Sequence, residues 1–332
     1  MKYRFLCFIA LVLLISGCGM TNGQKMQIAS FATATSQAVD AAVKQLEDAR
    51  SQVIEIRKEQ IIMGYLQVEA GVDLESTLKA EKIAQRVAAL RFLQAYANSL
   101  NALATNDQSE AISKAVTHLM TSSEAAVNAY KGDAGGLALS DGQKKAAAGI
   151  AATLAGWYIE NEKKKITKEI VELYSPQVTK FAAAIEQDMS LIGYSACWPQ
   201  FRAGSKEGAK PVNDKTKSGT LDIFCTEADY LREKSLILLK QCPAISKSCE
   251  TVTVTVRERA LNDYLKMNHD MDNMASFSTK ATDLVKKMLA ANNQLLKVIE
   301  DDKFTAEEIK EHAVAIKELI TMVEILANKR KE

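Results

Sequence analysis

From Ile28 to Ile56 the small and apolar residues return in steps of three and four: Ile28, Phe31, Thr35, Val39, Ala42, Leu46, Ala49, Val53 and Ile56. This is the heptad spacing of a narrow seam on one helix face. It predicts a helix over about 25–65, which at ~1.5 Å per residue is about 60 Å long, more than a compact globule needs. Gly71 breaks the pattern. A second helix carries Ile83, Val87, Leu90, Leu93, Ala97 and Leu100, with Asn106 and Asp107 as its end and the next N-cap. A third presents Ile112, Val116, Leu119, Val127 and Tyr130, and Gly132-Asp133-Ala134-Gly135-Gly136 stops it. A fourth runs from about Asp141 to Tyr174. There Ser175-Pro176 either kinks it or opens a fifth helix, with Val178, Phe181, Ile185 and Met189 on its apolar stripe.

Residues 197–225 are the least helical part of the chain and read as a loop. A helix over 226–241 and a short turn at 242–249 follow. Thr251 to Val256 alternates with period two, as do Leu221, Ile223 and Cys225, so a small two-stranded patch beside the cysteines is allowed; Val252, Val256 and Ala260 fit a helix face equally. The period is helical again from about Arg257 to Ile299. A last helix opens on Thr305 and Glu308, the spacing of a capping box, and carries Ile309, Ala313, Ile316, Ile320 and Val323. Long helices with short connections pack as antiparallel neighbours. The expected fold is all-α: one elongated antiparallel helical bundle over residues 26–332, with a cysteine-containing subregion at 196–256.

The first residues follow a different pattern. Lys2 and Arg4 precede an apolar run of about ten residues, Phe5 to Ile15. A permanent membrane span needs about 20. The run closes on Ile15-Ser16-Gly17-Cys18, which resembles the lipobox of bacterial lipoproteins. The resemblance implies that residues 1–17 are a signal peptide, that Cys18 is acylated and becomes the first residue of the mature chain, and that the protein works in the cell envelope outside the cytoplasm. In enteric members of that family an Asp after the Cys holds the protein at the inner membrane. Gly19 stands there in this chain, which implies the outer membrane, facing the periplasm. Residues 18–25 then read as a short polar tether.

Without Lys2 and Arg4 the 42 basic side chains become 40, against 41 acidic ones. So balanced a chain lacks the positive excess with which a nucleic-acid binder displaces counterions, and nucleic acid is not an expected partner. Cys7 leaves with the signal and Cys18 takes the lipid. The remaining Cys197, Cys225, Cys242 and Cys249 are an even number in an oxidising compartment, which suggests two disulfides. A helix over 226–241 would hold Cys225 and Cys242 about 25 Å apart, too far to bond. Cys197 with Cys225 and Cys242 with Cys249 is the favoured pairing. A zinc site is not favoured, because no Cys-x-x-Cys pair is present.

Catalysis is not expected. His118, His269 and His312 each stand alone on a predicted helix. In Asn268-His269-Asp270-Met271-Asp272 the helical period lets His269 share a face with Asp272 but not Asp270, too few ligands for a metal. Glu308 and His312 are four apart but lack the second copy a di-iron bundle uses. No phosphate-cradling glycine loop or nucleophile elbow is present, and no metal, cofactor or small-molecule substrate is implied.

Two segments stand out. Ala146 to Ile159 is small and apolar between Lys144-Lys145 and Lys163-Lys164-Lys165, with Ala148, Ala152 and Gly156 four residues apart and Trp157-Tyr158 at its end. It reads either as a helix that inserts in a membrane, as in helical pore-forming toxins, or as a core helix packed on all sides. The second is the loop after Cys197, where Trp198, Phe201, Arg202 and Lys210 could recognise a partner from a disulfide-fixed base; otherwise the two aromatics plug the end of the bundle. The expected function is a non-catalytic, lipid-anchored envelope protein that binds another protein as scaffold, adaptor or inhibitor. The alternative is a membrane-active helical protein.

Overall fold

A computed structural model of the chain describes residues 19–64, 74, 79–129, 140–156, 160–189, 197, 220–241 and 253–329. Eight helices occupy them: α1 (Asn22–Ile62), α2 (Ala80–Thr105), α3 (Ser109–Ala129), α4 (Asp141–Gly156), α5 (Glu160–Met189), α6 (Thr220–Gln241), α7 (Val254–Glu300) and α8 (Glu307–Lys329). The all-α expectation holds, and among the described residues there is no strand.

Four boundaries differ from the sequence reading. Val254 to Val256 form the first turn of α7, where the Val256 amide donates to Thr253 Oγ1 at 3.3 Å; Leu221, Ile223 and Cys225 lie within α6. The two-stranded patch is therefore absent from these residues. In α6 the buried positions include Leu221, Phe224, Cys225 and Ala228, a helical spacing that the alternation had masked. Pro176 neither breaks a helix nor begins one, since α5 runs through it. The polar tether is shorter than expected, because Met20 is buried and α1 has begun at Asn22.

Contacts gather the described residues into two compact units. One draws on Met1–Asp40, Val87–Ala183 and Leu284–Lys317, the other on Ala41–Arg86, Ala184–Asp283 and Glu318–Glu332. In the first, α1 runs antiparallel to α2: Arg91 pairs with Asp40 at 3.1 Å, and Gln94 donates to Ser36 Oγ and Asp40 Oδ1. Its core is aromatic at the α2–α5 contact, where Phe92 meets Phe181 at 5.1 Å and Tyr174 at 6.2 Å between ring centroids. Buried polar side chains then link the helices. Tyr96 Oη donates to Asn292 Oδ1 at 2.9 Å and Asn292 Nδ2 to Ser175 Oγ at 2.6 Å, joining α2, α7 and α5. Ser123 Oγ donates to Gln177 Oε1 at 3.0 Å, joining α3 to α5. These groups are out of water, so each must find a partner inside.

The second unit is built on Leu46, Val53 and Ile56 of α1, Phe224 and Leu231 of α6, and Met267, Met271, Met274 and Phe277 of α7. Flexible thioethers fill irregular gaps between helices. Ser278 Oγ donates to the Met189 carbonyl at 2.8 Å, and Gln60 Nε2 to the Glu227 carbonyl at 3.2 Å. Half-buried Arg86 and Asp188 pair at 2.6 Å.

Candidate functional site

Cys197 and Cys225 are bonded, with Cα atoms 5.3 Å apart, and both are buried. The bond closes 28 residues of sequence separation onto the first turns of α6, a helix that Phe224, Ala228 and Leu231 seat in the second unit. The segment between the two cysteines is thereby held to a rigid element at both ends. Its expected recognition residues, Trp198, Phe201, Arg202 and Lys210, lie outside the described residues, as do Cys242, Cys249 and the lipidation residue Cys18. Since α6 is helical through Gln241, Cys225 and Gln241 stand about 24 Å apart along it, the helix on which the exclusion of a Cys225–Cys242 bond was based.

In the first unit an open groove of about 560 Å³ lies along α4 and α5, with Gly149, Ile150, Ile166 and Leu173 among its lining. Its rim carries Glu162, Glu169, Glu172 and Lys165. Lys165 lies 3.9 Å from Glu169, and Lys168 lies 3.8 Å from Glu172 and 2.6 Å from Glu300. These are solvated pairs of small energetic weight. In α4, Ala147 and Ile150 are buried while Ala146, Ala148, Gly149 and Ala152 are exposed. Of the six residues of this segment whose exposure is described, two are buried and four exposed, so this stretch of α4 packs on one face and is not enclosed on all sides. Trp157, Tyr158 and Ile159 lie outside the described residues.

Two titratable groups are strongly shifted. His312 is fully buried on α8; its Nε2 lies 3.1 Å from Thr35 Oγ1, Phe31 packs 5.6 Å from its ring, and its Nδ1 meets no partner among the described residues. Burial alone depresses its pKa to about 4, so the ring is neutral. In the second unit the Arg259 guanidinium binds both carboxylate oxygens of Glu59. One turn along α7, Asp263 is half-buried beside them, and no donor reaches its Oδ2 among the described residues. Burial first, and the Glu59 charge second, push its pKa up to about 6, against the pull of Arg259 and Lys266. Sequence reading missed this trio because Glu59 and Arg259 are 200 residues apart; only the Arg259, Asp263 and Lys266 spacing on one helix face hinted at it.

The remaining histidines do not build a centre. His269 Nδ1 accepts from Asn273 Nδ2 at 2.9 Å and lies 3.7 Å from Asp270, so the neighbour excluded on helical period is the one that approaches. His118 is exposed. Among the described residues no three His, Cys, Asp or Glu side chains gather as metal ligands, and no helix is long and apolar enough to cross a membrane. No family model, curated protein or solved structure matches the chain.

Proposed function

We propose that this chain is a non-catalytic, lipid-anchored envelope protein, held by an acylated Cys18 at the periplasmic face of the outer membrane, that binds another protein as scaffold, adaptor or inhibitor. The observation that carries the reading is the Cys197–Cys225 bond seated on α6. Such bonds persist in oxidising compartments, which agrees with the lipobox at Ile15 to Cys18. A segment rich in aromatic and cationic residues, pinned at both ends, loses little entropy when it docks on a partner. Crosslinking in the native envelope, followed by identification of the captured protein, tests it. Trp198→Ala with Phe201→Ala should abolish the capture; unchanged capture would make the loop a plug. A Cys18→Ser chain should remain uncleaved and take up no radioactive palmitate.

A second reading, membrane insertion of Ala146 to Ile159, draws on the exposed small face of α4. Dye release from liposomes by a form beginning after Cys18 would favour it over the scaffold.

A further inference from the structure

We propose that the first turns of α1 and the adjoining turn Asp301–Thr305 form a face that rests directly on the phospholipid surface, held there by a leash too short to let the body move away. This deepens the lipid-anchor reading and rests on it. Only Gly19 separates Cys18 from Met20. Two Cα steps span at most about 7 Å.

Met20 is no part of a free tether. It is 6% exposed, and its Sδ lies 3.8 Å from the Thr167 hydroxyl of α5, which itself donates to the Lys163 carbonyl at 2.6 Å. The next residue is locked as well: the Thr21 amide donates to Gln24 Oε1 at 2.9 Å while the Gln24 amide donates to Thr21 Oγ1 at 3.3 Å, a reciprocal cap. Buried Gln24 then donates through Nε2 to the carbonyls of Val298 and Ile299, at 2.8 and 2.9 Å, in the last turn of α7. Lengthening the leash would therefore strip hydrogen bonds from a buried amide and from two helix-end carbonyls. An acyl chain on Cys18 places its sulfur at the base of the headgroup layer, so the body begins within that layer.

Met26 points to the same surface independently. Its side chain is 71% exposed on the second turn of α1, about 6 Å along the axis from Asn22. The headgroup region of one leaflet is about 5–8 Å deep, so a bilayer meeting the start of α1 would cover this thioether. Beside it Gln27 accepts the Ala306 amide and donates to the Phe304 carbonyl, both at 2.9 Å, which fixes the turn carrying Asp301, Asp302 and Lys303 at the same edge. Lys25, Asp301, Asp302 and Lys303 sum to zero, and with Glu300, Lys164 and Lys168 beside them the edge is close to neutral, so a zwitterionic surface suffices.

The test uses the full lipidated chain in phosphatidylcholine vesicles, with some lipid carrying a clickable acyl chain. A photoreactive benzophenone amino acid replaces Met26 or, as control, exposed Thr179, which lies about 18 Å beyond Thr167 along α5. The Met26 probe should crosslink to lipid at least tenfold more than the Thr179 probe. A flexible 12-residue Gly/Ser insertion between Gly19 and Met20 should erase that difference while palmitate incorporation stays intact. A palmitate-labelled chain whose Met26 probe finds no lipid, or finds it equally after the insertion, overturns the short leash. A chain that takes up no palmitate overturns the anchor reading itself, and the leash with it.

Discussion

His312 makes the first unit sensitive to acid. Its folded pKa is about 4, depressed by burial, whereas an unfolded imidazole titrates near 6.5. Between these values the unfolded chain binds a proton that the folded chain refuses, so stability is full above about pH 6.5 and drains as the pH falls. The whole interval is worth about 3 kcal/mol, and the step from pH 7.5 to pH 5 about 2 kcal/mol. The ring is fully buried, so no solvent screening reduces the figure. Hydrogen exchange of the α8 amides from Ile309 to Ile316, corrected for intrinsic rates, should report the loss locally. His312→Gln retains a side chain able to bond Thr35 but cannot titrate here, and should remove that ~2 kcal/mol from the pH dependence. If parent and variant lose protection in parallel between pH 7.5 and pH 5, the imidazole is not the source and the burial argument is wrong.

Asp263 should work in the opposite sense in the second unit: with its folded pKa raised to about 6, its contribution is complete below the ordinary carboxylate range and is lost as the pH rises through 6. Asp263→Asn should therefore raise the urea midpoint of that unit at pH 7.5 and flatten its pH dependence. Asn292→Ala strands the Tyr96 hydroxyl in the core and should cost about 2–3 kcal/mol in denaturant titrations, far more than Asn262→Ala at an exposed position of α7. Gln24→Ala removes one cap and two buried bonds, and about 2–4 kcal/mol of protection at the α7 C-terminus should go with it in hydrogen exchange. Reducing Cys197–Cys225 should cost about 3–4 kcal/mol in the chain-entropy model and leave far-ultraviolet helicity nearly unchanged; wholesale melting would show that the bond supports more than its loop.

Periodicity located the helices because burial repeats with the helical turn. In α1 the seam Ile28, Phe31, Thr35, Val39, Leu46, Ala49, Val53 and Ile56 is buried as the heptad spacing required, with Ala42 alone partly open. The same rule misplaced the stripe of α8. Ile309 and Ile316 are buried, but the face continues through His312, Ala315 and Leu319 instead of Ala313 and Ile320, since a search for apolar residues skips a buried histidine. Ser175-Pro176 was read as a kink or as the start of a new helix because proline lacks an amide. In the fold only one hydrogen bond is forfeited there, and tertiary packing of Tyr174, Val178 and Phe181 outweighs it. At the candidate sites, helix geometry excluded Cys225 with Cys242 and left two pairings, of which the favoured one contains the Cys197–Cys225 bond that forms. The capped start of α1 was not, since the partners of Gln24 lie 274 and 275 residues away.

That last gap has a physical reason that reaches beyond one residue. A seam of alanines, valines and leucines says which face turns inward, but it repeats along the axis, so sliding a helix by a turn buries much the same apolar area. Polar pairs do not repeat. Gln24 with the Val298 and Ile299 carbonyls, Thr35 with His312, Tyr96 with Asn292 and Ser175, and Ser123 with Gln177 each fit one register of the first unit. A slide of one turn leaves these buried groups unpaired, at about 1–3 kcal/mol each. Four such losses amount to about 4–12 kcal/mol, comparable with the whole stability of an ordinary domain. The apolar pattern thus specifies that these helices pack, and a few buried polar side chains specify where along their length they stop. The second specification is a relation between residues distant in sequence, and it becomes visible only when the chain is folded.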